Sequence, residues 1–250
     1  MQREMQINKT KIAELRKEYG DAFYLLDSGQ FRNNFIELKD TFRKIYPNFN
    51  IAYSYKTNYT PKFCKIVNEL GGYAEVVSEM ELEIALRVGV ESKRIIWNGP
   101  IKNAKKLEEF LVAGGTDNID SVEELAVVKA IAERHPDKVL NLGIRCNYDV
   151  QDGVVSRFGL DVDSEDFQQV LEFVITTKNV HFINFQCHFA KRQIEYWSAR
   201  AKGMVELIDR IGIIPERLDV GGGLFGKMAD SLKAQFKNDI PDYQAYAEAT

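Results

Sequence analysis

From Ile51 onward, short apolar runs alternate with stretches whose apolar positions recur every three or four residues. The runs read as strands buried in a sheet, and the stretches as amphipathic helices packed against it. Strands are expected at Ile51–Lys56, Tyr73–Val77, Arg94–Trp97, Asp117–Asp120, Val139–Cys146, Val180–Phe189 and Arg217–Val220. The punctuation between them is regular. Thr60 and Pro61 open a helix through Phe63, Ile66, Val67 and Leu70, which Gly71-Gly72 closes. Ser78–Glu81 and Ser121–Glu124 are capping boxes, and Gly114-Gly115 ends a helix containing Leu107, Phe110 and Leu111. Further helices are expected around Phe167–Ile175, over Ile194–Ile211 and from near Asp242.

Strands alternating with helices imply parallel pairing through right-handed crossovers, in a doubly wound sheet or a (β/α)₈ barrel. The sixth strand favours the barrel. By alternation Phe182, Asn184, Gln186 and His188 share one face, and Ile183, Phe185 and Cys187 the other. A mixed polar face toward a lumen suits a barrel strand, whereas a central doubly wound strand is usually apolar on both faces. The expected fold is therefore α/β, a (β/α)₈ TIM-type barrel over residues 51–250. Seven strand–helix units fill those residues, where a barrel has eight in about 250 residues. An unclosed barrel leaves two unpaired edges, so the chain is expected to be a fragment that stops before the eighth strand. Residues 1–50 stand outside the alternation, with a helix at Asn8–Tyr19, a strand at Phe23–Leu26 and a helix at Arg32–Tyr46.

Composition changes the picture mainly by exclusion. The 250 residues are 45% hydrophobic and carry a net charge of -4, with acids and bases interspersed. That disfavours nucleic acid as a partner. No apolar run approaches the length of a membrane span, and Met1–Gln6 is unlike a signal peptide. Cys64, Cys146 and Cys187 fit no disulfide or metal spacing, and read as reduced, half-buried thiols of a cytoplasmic protein. No metal is expected.

In barrels of this type, reactive residues sit at the C-terminal ends of strands, and phosphate often lies at the loops after the last two. Lys56 ends the first strand. An ammonium buried there without a partner would be costly, and makes sense as a nucleophile that forms an imine with an aldehyde. It also fits a snorkelling lysine. His188, ending the sixth strand, is a base, a ligand, a flat surface for an aromatic cofactor, or a satisfied core residue. Gly221-Gly222-Gly223 after the seventh strand is a tight turn or a phosphate cradle of backbone N–H groups. Arg145, ending the fifth, is an anion clamp or the partner of Glu75 or Glu81. Jointly, an amine, a planar ring and a phosphate cradle on one rim are what an aldehyde-bearing aromatic phosphate needs.

These segments resemble the fold-type III pyridoxal-phosphate decarboxylases, the group of diaminopimelate, ornithine, arginine and carboxynorspermidine decarboxylases, related to alanine racemase. Tyr53-Ser54-Tyr55-Lys56-Thr57-Asn58 is similar to the family's Schiff-base segment. Asp120-Ser121, Ser156-Arg157-Phe158-Gly159, Cys187-His188-Phe189-Ala190 and Asp219-Val220-Gly221-Gly222-Gly223 match further landmarks in order, from about Phe23 to the end of the chain. The resemblance implies pyridoxal 5'-phosphate as cofactor, held as a Schiff base on Lys56 and stacked on His188. The backbone of Gly221, Gly222 and Gly223 would bind its phosphate, with Arg145 in support. Lys56 and His188 are then the catalytic residues, and the function implied is decarboxylation of an amino acid, with a diamino acid or related polyamine or siderophore precursor as substrate.

Two departures accompany the resemblance. Lys191 stands where the family often has a phosphate-binding serine. The family's Glu-Pro-Gly-Arg motif and its C-terminal β-domain, which completes the site across a homodimer, are absent from the 250 residues. Residues 1–50 are expected to pack with that β-domain, and the 250 residues alone to be weak or inactive. An amino-acid racemase on the same barrel and a non-catalytic carrier of the cofactor are the alternative readings.

Overall fold

Parallel pairing links β1 (Ala52–Ser54), β2 (Tyr73–Val76), β3 (Ile95–Trp97), β4 (Thr116–Ile119), β5 (Leu140–Asn147), β7 (Val180–Gln186) and β8 (Arg217–Asp219) in that order. A short β6 (Leu160–Asp161) pairs with the end of β5, so the sixth and seventh strands of the sequence reading are β7 and β8. The structure is a computed structural model and describes residues 8–154, 156–236 and 240–250. Met1–Gln6, read above as unlike a signal peptide, lie outside the described residues. Among the described residues β1 and β8 are the two ends of the order, so the parallel sheet is an incomplete barrel. No described helix is long and apolar enough to cross a membrane.

The helices are α1 (Lys9–Tyr19), α2 (Ser28–Arg43), α3 (Pro61–Glu69), α4 (Glu79–Arg87), α5 (Ala104–Val112), α6 (Val122–Arg134), α7 (Glu165–Thr176), α8 (Ile194–Ile211), α9 (Asp230–Lys233) and α10 (Tyr243–Ala249). Both capping boxes form. Ser78 Oγ accepts from Glu81 N and Ser121 Oγ from Glu124 N, each at 3.3 Å. Their glutamates accept not from the cap itself but from the residue before it, Val77 N at 2.8 Å and Asp120 N at 2.9 Å. Each box therefore ties the end of a strand to the next helix. Thr60 occupies the N-cap of α3 without a side-chain capping bond, leaving Pro61 as the local helix signal.

One expected element is not formed. Phe23–Leu26 is no strand: it has no sheet neighbour among the described residues, and Tyr24 is 97% exposed. β-Propensity alone cannot hold a strand that has no ladder to join. After that segment the chain returns to the barrel. Phe31 of α2 stacks on Phe63 of α3 at 4.3 Å between centroids. Phe42 joins Trp197 and Tyr246 in a second core where α2, α8 and α10 meet. Burying a side chain such as Phe42 contributes about 2 kcal/mol.

β7 departs from simple alternation. Phe182 pairs with Leu142 and Asn184 with Gly143, so Ile183 is a surplus residue, a β-bulge. Phe182 consequently packs with Phe185, 4.9 Å away, against the core under the helices and not with Asn184 and Gln186 as expected. The inner face beyond the bulge is polar as read. Asn184 donates to Asn118 at 2.9 Å, and Asn118 donates to Asn98. Gly143 makes room for this amide chain, since a Cβ there would lie 2.0 Å from Asn118 Oδ1.

Candidate active site

Lys56 lies in the turn that leaves β1, where Thr57 N and Oγ1 both donate to the Ser54 carbonyl, at 3.2 and 2.7 Å. The side chain is exposed, so the costly buried ammonium anticipated from the strand is not what the fold contains. No carboxylate among the described residues lies within 4.0 Å of the Lys56 amine. Its charge is felt by two neighbours, His188 and Glu81. The side chain of Glu81 is buried, and burial raises its carboxyl above the usual range. The Val77 N–H and Lys56 oppose that shift, while Glu75 adds to it.

His188 follows β7, whose ladder continues through Cys187 N to Asp219 O at 2.8 Å. Its Nδ1 accepts from Gly222 N at 3.3 Å, so a neutral ring carries its proton on Nε2. Burial, then the charges of Lys56, Arg145 and Arg200, push the His188 pKa down to about 4. The ring is therefore neutral at physiological pH. Because the unfolded value is near 6.5, the unfolded chain binds a proton between about pH 6.5 and 4 that the folded ring refuses. His188 thus costs stability as pH falls through that window, and no more below it. Subtracting the unfolding free energy of His188→Gln from that of the natural chain should give a difference that falls from pH 7 to pH 4. Urea titrations at several pH values measure it, and a flat difference would contradict a neutral, half-buried imidazole.

The glycine turn meets that ring. Gly221 has φ 72 and donates to Asp219 Oδ1 at 2.8 Å, and a Cβ on it would lie 2.3 Å from the Cys187 carbonyl oxygen. Only glycine fits there. Burial raises the Asp219 carboxyl to about 6, against the opposing Gly221 N–H. Gly222 has open space around it, and the N–H groups of Gly223 and Leu224 have no protein acceptor among the described residues.

Arg145 is buried and donates to Asp120 Oδ1 at 2.8 Å and to the Asn98 carbonyl at 3.3 Å. Neither Glu75 nor Glu81 is its partner. β4, which leads to Asp120, is the immediate neighbour of β5, whereas β2 lies three places away in the sheet. Lys191 is half-buried beside the site. The thiols of Cys64, Cys146 and Cys187 are fully buried, more than the half-burial expected.

Sequence reasoning missed Arg200. This α8 side chain is completely buried and donates to Gly222 O, Phe189 O and Lys191 O. Its one sequence signal is a spacing of three from Trp197, which sets the guanidinium 5.0 Å from the indole.

The residues fit a phosphorylated aromatic aldehyde. An exposed amine, a neutral planar ring and unpaired backbone donors at a glycine turn occur at one end of the sheet. Residues 32–246 match the family described as "Pyridoxal-dependent decarboxylase, pyridoxal binding domain". The chain belongs to this family.

A diaminopimelate decarboxylase of Aquifex aeolicus is 28% identical to this pyridoxal-binding domain over 258 residues, covering 96% of the chain and 59% of the relative. A second, of Bacteroides thetaiotaomicron, is 27% identical over 90% of the chain and 60% of its own length. The crystal structure of diaminopimelate decarboxylase from M. jannaschii superimposes with a TM-score of 0.81 at 25% identity, covering 94% of the chain and 57% of that structure. The chain thus spans about three-fifths of the length of these relatives.

Proposed function

We propose that this domain holds pyridoxal 5'-phosphate for the decarboxylation of an amino acid, with a diamino acid as substrate. The observation that carries the reading is the neutral His188 ring set against the glycine turn, within the field of the Lys56 amine. The names of the relatives, diaminopimelate decarboxylases, support the substrate class. When bound, the cofactor supplies an electron sink for the pair of electrons left on the α-carbon as carbon dioxide departs.

The chain's own groups divide the remaining work. Lys56 is the amine that would bind the cofactor's aldehyde carbon and, once displaced by substrate, carry a proton to the α-carbon. His188, neutral and flat, would press on one face of the ring without adding a charge that competes with the sink. The Gly221–Gly223 turn would hold the phosphate through the N–H groups of Gly223 and Leu224, free among the described residues, since those of Gly221 and Gly222 are already given to Asp219 and His188. Arg145, locked by Asp120, would add positive potential behind them. The carboxyls of Glu75 and Glu81, close to the Lys56 turn, favour a substrate that carries a second amine. Of residues 1–50, expected to pack with a further β-domain, α1 and the stretch to Leu26 would find their partner there, whereas α2 already packs on the barrel. The absence of any buried residue in α1 and the exposure of Leu25 and Leu26 support this.

Incubation with carboxyl-labelled diaminopimelate, lysine, ornithine and arginine, with the cofactor added, tests the proposal. It should be run on the chain and on any longer form that carries it. Labelled carbon dioxide from a diamino acid is the expected result. Exchange of the α-hydrogen without gas would mean racemisation, and a coloured complex with neither would mean a carrier.

A further inference from the structure

Arg200 is a buried cation with no carboxylate within 4.0 Å among the described residues. An ionic group in that position is expensive unless its donors are satisfied. Its two terminal nitrogens are satisfied by backbone alone: Nη1 reaches Gly222 O at 2.9 Å, and Nη2 reaches Phe189 O at 2.9 Å and Lys191 O at 2.5 Å, while Nε is buried without a partner among the described residues. These carbonyls belong to two different loops, the one after β7 and the one after β8. The guanidinium is fixed in place by Trp197 at 5.0 Å and Phe189 at 6.0 Å, and Tyr148 anchors the Arg200 backbone through a 2.6 Å bond to its carbonyl.

The geometry of a peptide then has a consequence. All described peptide bonds are trans, so each C=O points opposite to the N–H that follows it. Holding Phe189 O and Gly222 O on Arg200 turns the Ala190 and Gly223 N–H groups away from it. Neither N–H has a protein acceptor among the described residues, and Ala190 is exposed. Two free donors on neighbouring strand ends, backed by a cation lacking a countercharge, form an anion site.

We infer that Arg200 is a positioning residue for the cofactor phosphate, clamping both loops so that the Ala190 and Gly223 N–H groups face it together. This rests on the pyridoxal-phosphate reading above. The phosphate would also supply the countercharge that the protein withholds from Arg200.

The test compares binding of pyridoxal 5'-phosphate with that of pyridoxal, which has the same ring and aldehyde but no phosphate. In Arg200→Lys, which keeps the charge and loses the fork, affinity for the phosphorylated form should fall about 10- to 100-fold. Affinity for pyridoxal should change less than about 3-fold. Equal losses for the two ligands, or none for either, would overturn the role of Arg200 while leaving the cofactor reading intact. Uptake of neither ligand by the natural chain would overturn both. Should Arg200→Lys fail to fold, Trp197→Phe loosens the same guanidinium without removing it. A smaller loss confined to the phosphorylated ligand is then expected, and an equal loss for both ligands overturns the inference.

Discussion

Lys56→Ala is expected to yield a folded, colourless protein that borohydride no longer joins covalently to pyridoxal phosphate. Any decarboxylase activity should fall about 10³-fold or more, because under the proposed function the residue would be both nucleophile and proton carrier. The side chain is exposed and lacks a carboxylate partner among the described residues, so stability should change by no more than about 0.5 kcal/mol. Loss of colour therefore cannot be blamed on unfolding. His188 and the glycine turn remain, so the variant should still bind the cofactor non-covalently and more weakly. Absorption spectra and peptide mapping after borohydride measure this directly. Label found on Lys191 or another lysine in the natural chain would remove Lys56 from the centre of the proposal.

The second large effect concerns stability, away from the cofactor. Lys102, in the loop between β3 and α5, is 1% exposed. Its Nζ lies 2.8 Å from Asp117 Oδ1, 2.5 Å from Glu124 Oε1 and 2.9 Å from the Asn118 carbonyl. Two carboxyls face one ammonium: burial raises both above their usual range, Asp117 adds to the rise at Glu124, and Lys102 opposes it at each. Lys102→Met leaves both carboxyls buried without a cation, which costs about 3–5 kcal/mol. The sign of the pH dependence follows. A carboxyl whose folded pKa exceeds its unfolded value favours the folded state at low pH, and loses that advantage as pH rises between the two values. Lys102 is what pulls these carboxyls down, so its removal widens the gap. The deficit should be largest near neutrality and shrink toward about pH 4, where the unfolded carboxyls also take up protons. Urea unfolding of both proteins at pH 7.5 and pH 5 checks this. A deficit below about 1 kcal/mol at the higher pH would mean that the three charges are not coupled as the fold places them.

The elements were legible wherever local chemistry and burial agreed. Ile194–Ile211 matches α8 to the residue, and both Ser-x-x-Glu boxes cap helices where expected. Phe23–Leu26 was misread because a run of apolar residues says nothing about whether a sheet edge is within reach. The site was legible in its outline: Lys56, His188 and the glycines all lie at strand exits, and His188 and Gly222 touch. Its wiring was not. That Arg145 meets Asp120 depends on strand order, which alternation cannot supply, and Arg200 reaches the turn from a helix without any motif around it. Lys102 likewise looked like an ordinary loop lysine, since burial of a charge by three converging segments leaves no periodic trace.

The surplus residue in β7 has one more effect. Side chains on a strand come in two orientations only, so Ile183 acts as a change of parity between the start of the strand and its functional end. Losing one residue between Asn184 and Cys187 would exchange the imidazole for the thiol of Cys187 at the mouth. Losing Ile183 itself would only restore an even count, which leaves a neutral spot in the reading frame of the candidate site's rim.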